Sequence, residues 1–435
     1  MRRARVRVNP PRVLNLAATA MLIGSSLVSV AFAQASGAGQ PKAGAPKATA
    51  PATRRTTSPS ARPTGAAKTP AKPTATYWVY VGAESADLIH RVRFGSQGAV
   101  VERTTRAGEL PAENEGPHGL QISADGKYLH MTTGHGTPDG KYWKYELGPD
   151  TLVGEPTFLG NFPASIDVTP DGLYAFAVNF NLHGEMVPSS VSVIYTPTNT
   201  EVARPMTCTM PHGSRISADG MKQYSTCMMD DQLVEVDTRT FKVSRRFSVA
   251  KGRERDIPLA EYDAMMKEML PEDSTGGSPH KHQMAPATCS PTWAQPAAKG
   301  NRIYVACNKS DEILEIDGGT WAVTRRFATG RAPYNLTVTP DNKLLVVSLK
   351  AGSGVQVFDL ATGKQMMNEK TSITLAHGVT ASPDSRYAFV SVEGKGAQAG
   401  KVEIFDLVSF AKVATVDVGQ QASGITFWKM EPARK

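Results

Sequence analysis

The chain has 435 residues, enough for two or three average domains, although all-β propellers and barrels often use this much sequence for one. It carries 48 Lys and Arg against 40 Asp and Glu, but residues 1–76 hold 12 basic residues and no acidic one, leaving 36 against 40 in the remainder. The basic excess therefore belongs to the N-terminal stretch, which excludes reading the net charge as a nucleic-acid groove in the folded part.

Residues 1–33 read as a signal peptide. Arg2, Arg3, Arg5, Arg7 and Arg12 precede the apolar run LNLAATAMLIGSSLVSVAFA, which ends in the small-x-small site Ala31-Phe32-Ala33. Cleavage after Ala33 is the preferred reading. An uncleaved membrane anchor is the alternative, and Asn15, Thr19 and several serines make the run a mediocre span. The mature protein is accordingly expected in the periplasm or secreted, without a membrane span. Residues 34–76 are rich in Ala, Pro, Thr, Gly, Ser and basic residues, with nothing acidic or aromatic. Such a segment buries too little apolar surface to repay its ordering entropy and reads as a disordered tether.

From residue 77 one unit recurs: PHGLQISADGKYLHMTT, PASIDVTPDGLYAFAVNF, PHGSRISADGMKQYSTC, PTWAQPAAKGNRIYVAC, PYNLTVTPDNKLLVVSL and AHGVTASPDSRYAFVSV. Each reads as a short strand, a turn and a second alternating strand. Most copies continue into a third strand such as QLVEVD or EILEID and a fourth such as FKVSRRFSV or WAVTRRFAT. The residue after the opening Pro or Ala marks a station in each copy: His118, Ala164, His212, Thr292, Tyr334 and His377, spaced by 46, 48, 80, 42 and 43 residues. Four strands at a period in the forties indicate a β-propeller. The long step holds an insertion, residues 250–288, placed between blades 3 and 4 and read as a lid or partner contact, with a short helix expected from about Leu259 to Leu270. The C-terminal QASGITFW supplies only a first strand, with Ser423 at its station, whereas YWVYVGAESADLIHRVRFGSQGAVVERTTRAG supplies only the second to fourth. The two chain ends together complete a seventh blade and remove the open edges. The expectation is an all-β, monomeric, seven-bladed propeller over residues 77–430.

The stretch NRIYVACNKSDEILEIDGGTWAVTRRFATGRAPYNLTVTPDNKLLVVSL resembles the YVTN-repeat propeller family, whose repeats combine a Tyr-Val-Thr/Ala-Asn strand end, an aliphatic-Ile-Asp strand and a Pro-Asp-Gly turn. The resemblance spans roughly residues 77–428 and departs in the blade 2 loop NLHGEMVPSS and in the insertion. It implies the propeller fold, which WD40-like repeats share, and a secreted or periplasmic setting, but no particular reaction.

In a propeller the stations, the interblade connections and the loops between second and third strands share one face. Seven of the nine histidines map there: His118, His212 and His377 at stations, His135 and His183 in loops, His280 and His282 in the insertion. His90 and His130 fall within strands. Imidazoles around a channel mouth are a way to gather metal ligands, and the neighbouring Met210, Met228, Met229 and Met284 favour copper over magnesium or calcium in an oxidising compartment. The competing reading is that these histidines cap channel strands. Because His118, His212 and His377 belong to blades 1, 3 and 6, shared coordination requires a narrow rim or help from loops.

The four cysteines fit two disulfides, Cys208 with Cys227 and Cys289 with Cys307, one per blade, with Cys227 to Cys289 as the main rival. Motifs for a nucleophile elbow, a zinc protease, a phosphate loop and haem attachment are absent. The carboxylates of the same face, Glu113, Glu115, Glu185, Asp230, Asp231 and Glu393, read as solvated surface groups. Three functions follow in order of preference: an exported binding or scaffold protein whose His-rich face meets a small ligand or protein partner; a copper or other divalent-metal protein or redox enzyme; and a cation-assisted lactonase-type hydrolase.

Overall fold

The computed structural model describes residues 70–109, 112–134, 139–269 and 286–432. The leader, nearly all of the tether, and the candidate ligands His135, His280, His282 and Met284 lie outside the described residues.

Seven antiparallel sheets form, each with its strands in sequential order from the inner edge outward except the seventh. That sheet runs Gly98–Arg106, Leu88–Gly95, Ala75–Ala83 and Ala422–Pro432, so the C-terminal strand is its inner edge. Tyr80 lies opposite Thr426 and Val81 opposite Ile425, which closes the ring as the repeat predicts. The first strand starts at Ala75 rather than at residue 77, because Ala75 and Thr76 pair with Pro432 and Glu431.

The inner strands turn on a small local device. Ser123 donates its hydroxyl to Asp125 at 2.7 Å while the Gly126 amide closes on the Ser123 carbonyl at 2.8 Å; Thr169 with Asp171 and Thr339 with Asp341 repeat the arrangement. A short polar side chain that bonds its own backbone two residues on is what makes the Ser/Thr-x-Asp signature a turn. Neighbouring blades then pack apolar faces together, for example Trp293, Tyr304 and Phe327 of blade 4 against Leu336, Val347 and Phe358 of blade 5.

Two features depart from a plain four-strand repeat. Blades 1 and 2 split their outer strand into two pieces, Thr151–Leu152 with Thr157–Phe158 and Thr200–Ala203 with Met206–Thr209. In blade 3 the insertion adds a fifth strand, Arg255–Asp256, beside Lys242–Ser248, followed by the helix Leu259–Met269. Tyr262 of that helix is buried, with the Arg246 guanidinium 3.3 Å from its ring centre. The described part of the insertion therefore caps the outer edge of blade 3.

Both favoured disulfides form, with Cα separations of 5.8 Å for Cys208–Cys227 and 4.5 Å for Cys289–Cys307. The expectation of one per blade needs correcting for the first. Cys208 sits in Met206–Thr209, which pairs with Pro188–Ser190 of blade 2, so its bond to Cys227 ties blade 2 to blade 3.

Candidate functional site on the propeller axis

The residue two places before every station adopts a left-handed backbone: Gly116, Phe162, Met210, Ser290, Ala332, Leu375 and Gln421 have φ between 46° and 69°. This turn swings each incoming connection over the end of the previous blade. Loop aspartates hold several of the connections. Asp231 accepts from the amides of Thr288 at 2.6 Å and Ser290 at 2.7 Å, and Asp87 from those of Glu115 at 3.0 Å and Gly116 at 2.8 Å. Asp231 and Glu115 are buried, and Glu393 is only 8% exposed, which corrects their reading as solvated surface groups. The sharp turn leaves backbone amides that water does not reach, and a carboxylate satisfies them.

The stations converge on the axis, and the rim is narrow. The ring centre of His118 lies 5.2 Å from that of His377 and 6.3 Å from that of His212, while Tyr334 packs 4.7 Å from His377 and 5.3 Å from His212. Four of the seven stations also bond to the next blade. His118 Nδ1 lies 2.6 Å from the Ala164 carbonyl and His212 Nδ1 lies 2.9 Å from that of Thr292. The Ser423 hydroxyl donates to Pro117 at 2.9 Å and that of Thr292 to Tyr334 at 2.7 Å. A bond to a carbonyl fixes the proton on Nδ1, so the Nε2 lone pairs of His118 and His212 face the axis. His212 Nε2 accepts from the Tyr334 hydroxyl at 2.9 Å. These three histidines are buried, so they close the channel mouth from within instead of facing solvent. Of the other expected ligands, His183 is an exposed loop residue, its ring 5.7 Å from Phe162. Met210 and Met228 pack into an apolar cluster around Phe162 and Phe180. His90 and His130 bond to Thr104 and Tyr142 within blades 7 and 1.

Two charged groups at the plug, Glu84 and Lys350, escape the motif reading, and Glu393 joins them there. All three occupy the position immediately after the second strand, in blades 7, 5 and 6. Lys350 Nζ sits 2.8 Å from Glu393 Oε1 and 4.2 Å from the centre of the Tyr334 ring. Glu84 Oε1 lies 3.5 Å from His118 Nε2. Burial, reinforced by Glu393 and opposed by Lys350, pushes the Glu84 carboxyl up to about 8. At neutral pH it therefore holds a proton. Burial pushes His212 down to about 4 and His377 well below the usual imidazole range, Lys350 acting in the same direction on both. Ligand atoms of Glu84, His118 and His377 all lie within 4.8 Å of one another, which is the set a metal ion could bridge among the described residues.

Below the plug the axis narrows to a cavity of about 10 Å³ beside His118, His377, Trp293, Asn335 and Arg215. Beyond Arg215 it opens, at the end carrying the Ser/Thr-x-Asp turns, into a funnel of about 390 Å³. The funnel wall has its own register: three residues past each station stands a polar side chain. These are the amides Gln121 and Gln295, the hydroxyls Thr337, Thr380 and Thr426, and two charged groups that do not form an ion pair, Asp167 and Arg215. The signal was present in the aligned repeats, where this position is polar in all seven copies, but attention to the histidines passes over it.

Residues 280–417 match the model of the YNCE-like beta-propeller family, about a third of the chain. No curated protein matches. Among solved structures, the chain is similar to one of Kuenenia stuttgartiensis hydrazine synthase, with 17% identity and a TM-score of 0.53 over 73% of this chain and 92% of that one. It is also similar to a functionally unknown protein from Desulfotomaculum acetoxidans, with 15% identity and a TM-score of 0.55 over 81% of this chain and 98% of that one. At such identities the likeness is one of fold.

Proposed function

We propose that this chain is an exported binding protein that receives a small ligand on the propeller axis. The observation that carries the reading is the asymmetry of that axis: one end is closed by buried, mutually bonded groups, and the other opens as the polar funnel of about 390 Å³. That volume falls in the range of small-molecule sites, and the funnel lining contains no nucleophile beside a base. Export is supported by the leader and by two disulfides, which persist in oxidising compartments. The repeat resemblance to the YVTN family agrees with such a setting. The test is to purify the protein natively from the exported fraction, release bound small molecules with acid and identify them by mass spectrometry. One equivalent of a single compound that raises the melting temperature on re-addition is the expected result. Protein that carries nothing, and that no member of a metabolite library stabilises, would end the reading.

A second reading, a transition-metal site at Glu84, His118 and His377, is favoured by one observation. His118 donates Nδ1–H to a backbone carbonyl, the outer-sphere bond that orients a ligating imidazole, and its Nε2 points at Glu84. Two nitrogens and one carboxylate oxygen suit zinc, copper or nickel better than calcium. The Lys350 ammonium beside Glu393 opposes a cation there. Metal analysis of the native protein decides this reading: a stoichiometric metal lost in His118→Ala supports it, and metal-free protein removes it.

A further inference from the structure

We propose that the funnel takes a small hydroxylated monocarboxylate, its carboxylate paired by Arg215 and its hydroxyls met by the threonine and glutamine side chains of the wall. The proposal rests on the reading of the protein as a binding protein and names the chemical class of its ligand.

Arg215 is the only cation of the funnel lining. It stands at the throat, shared between the funnel and the small cavity below the plug. Its guanidinium lies 4.9 Å above the Trp293 ring, and one nitrogen donates to the Ser214 carbonyl at 2.9 Å. No carboxylate among the described residues is within ion-pair distance of it. The nearest candidate, Asp167, is already engaged: Oδ1 accepts from the Val168 amide at 2.9 Å and from the Gln121 side chain, and Oδ2 from the Ile216 amide at 2.7 Å. A half-buried guanidinium held by an aromatic face, with donors left over, is a pre-organised fork for one carboxylate. Burial lowers its pKa and Asp167 opposes that shift, which is the condition an anionic ligand would relieve.

The rest of the wall selects what the carboxylate is attached to. Thr337 and Thr380 have hydroxyls with no protein partner among the described residues, and Gln295 uses its amide nitrogen on Pro296 while its oxygen stays available. These groups suit a ligand with several hydroxyls. The funnel lining has no aromatic residue on which a planar ring could stack. Asp167 also sets a limit, because a second negative charge on the ligand would meet its carboxylate without a second cation to balance it.

The experiment is isothermal titration calorimetry of the mature chain at low ionic strength with glycerate, threonate and gluconate. Sorbitol serves as the uncharged counterpart and inorganic phosphate as the alternative anion. At least one hydroxy acid is expected to bind at least tenfold more tightly than sorbitol or phosphate, and Arg215→Gln to lose at least tenfold of that affinity. The isosteric Thr337→Val, Thr380→Val double variant, checked for an unchanged circular dichroism spectrum, should weaken the same ligand severalfold even if Arg215→Gln folds poorly. Sorbitol binding as well as the acids, untouched by Arg215→Gln, would overturn the ligand class and leave the binding reading intact. Phosphate binding best would overturn it in favour of a phosphorylated ligand. Absence of heat with all three acids would overturn it as well, and the binding reading would then stand or fall on the co-purified compound alone.

Discussion

At Ala332 a side chain occupies left-handed backbone space, with φ of 54°, where blade 1 uses Gly116 at the equivalent place. The amide of Ala332 donates to Asp311 at 2.8 Å, and a glycine would keep that bond. Ala332→Gly is therefore expected to stabilise the fold by roughly 0.5–1 kcal/mol, read as a rise in the urea midpoint at constant slope. His212 argues the opposite case, of a side chain whose cost appears only in acid. Its folded pKa of about 4 lies below the free value of 6.5, because burial disfavours the charged ring, so the unfolded chain takes up the proton first. Its contribution is complete above about pH 6.5 and is lost as the pH falls toward 4, a swing on the order of 3 kcal/mol. His212→Asn, which retains a donor for the Thr292 carbonyl, should flatten the decline of the melting temperature between pH 6.5 and 4 relative to the wild type. An unchanged profile would show that another group governs the acid limb.

Among the elements, the cysteine pairs share a sequence spacing but hold different things. Cys289–Cys307 fixes the return of the insertion into blade 4, next to the amides that Asp231 collects. Cys208–Cys227 crosses between blades, because the outer strand of blade 2 breaks near Arg204-Pro205 and its second half leads into Pro211. Each closes a loop whose loss is worth about 3 kcal/mol in the chain-entropy model. The Cys208→Ser, Cys227→Ser variant should lose about that much by denaturant unfolding, and hydrogen exchange should rise in both Lys222–Cys227 and Met206–Thr209. Faster exchange in blade 3 alone would contradict the interblade role. Within the insertion, strand Arg255–Asp256 and buried Tyr262 cover the flank of Arg246, and this assigns its described part to the blade 3 edge.

For the molecule as a whole, closure by the C-terminal strand is the central fact. Ala422–Pro432 gives blade 7 its inner edge, supplies Ser423 to the station ring and Ile425 and Thr426 to the axis. Deleting residues 422–435 is expected to abolish cooperative unfolding and leave exposed edges that aggregate, checked by calorimetry and light scattering; a truncated chain with a sharp transition would refute the dependence. The number of blades and the stitched seventh blade were legible in the repeat, and the cysteine pairings were favoured there over the rival Cys227–Cys289, because strand alternation and turn chemistry are local and a fixed period counts copies. What only the tertiary structure decided is distance across the axis. Glu84, Lys350 and Glu393 are 266 and 43 residues apart along the chain, yet they meet at one plug, and Arg215 is left without a carboxylate partner among the described residues because Asp167 spends its oxygens on amides of two blades. A sequence records which residue stands at each register position, but the radius of a closed ring, and therefore which of those side chains touch or are left facing a ligand, emerges only when all seven sheets pack at once.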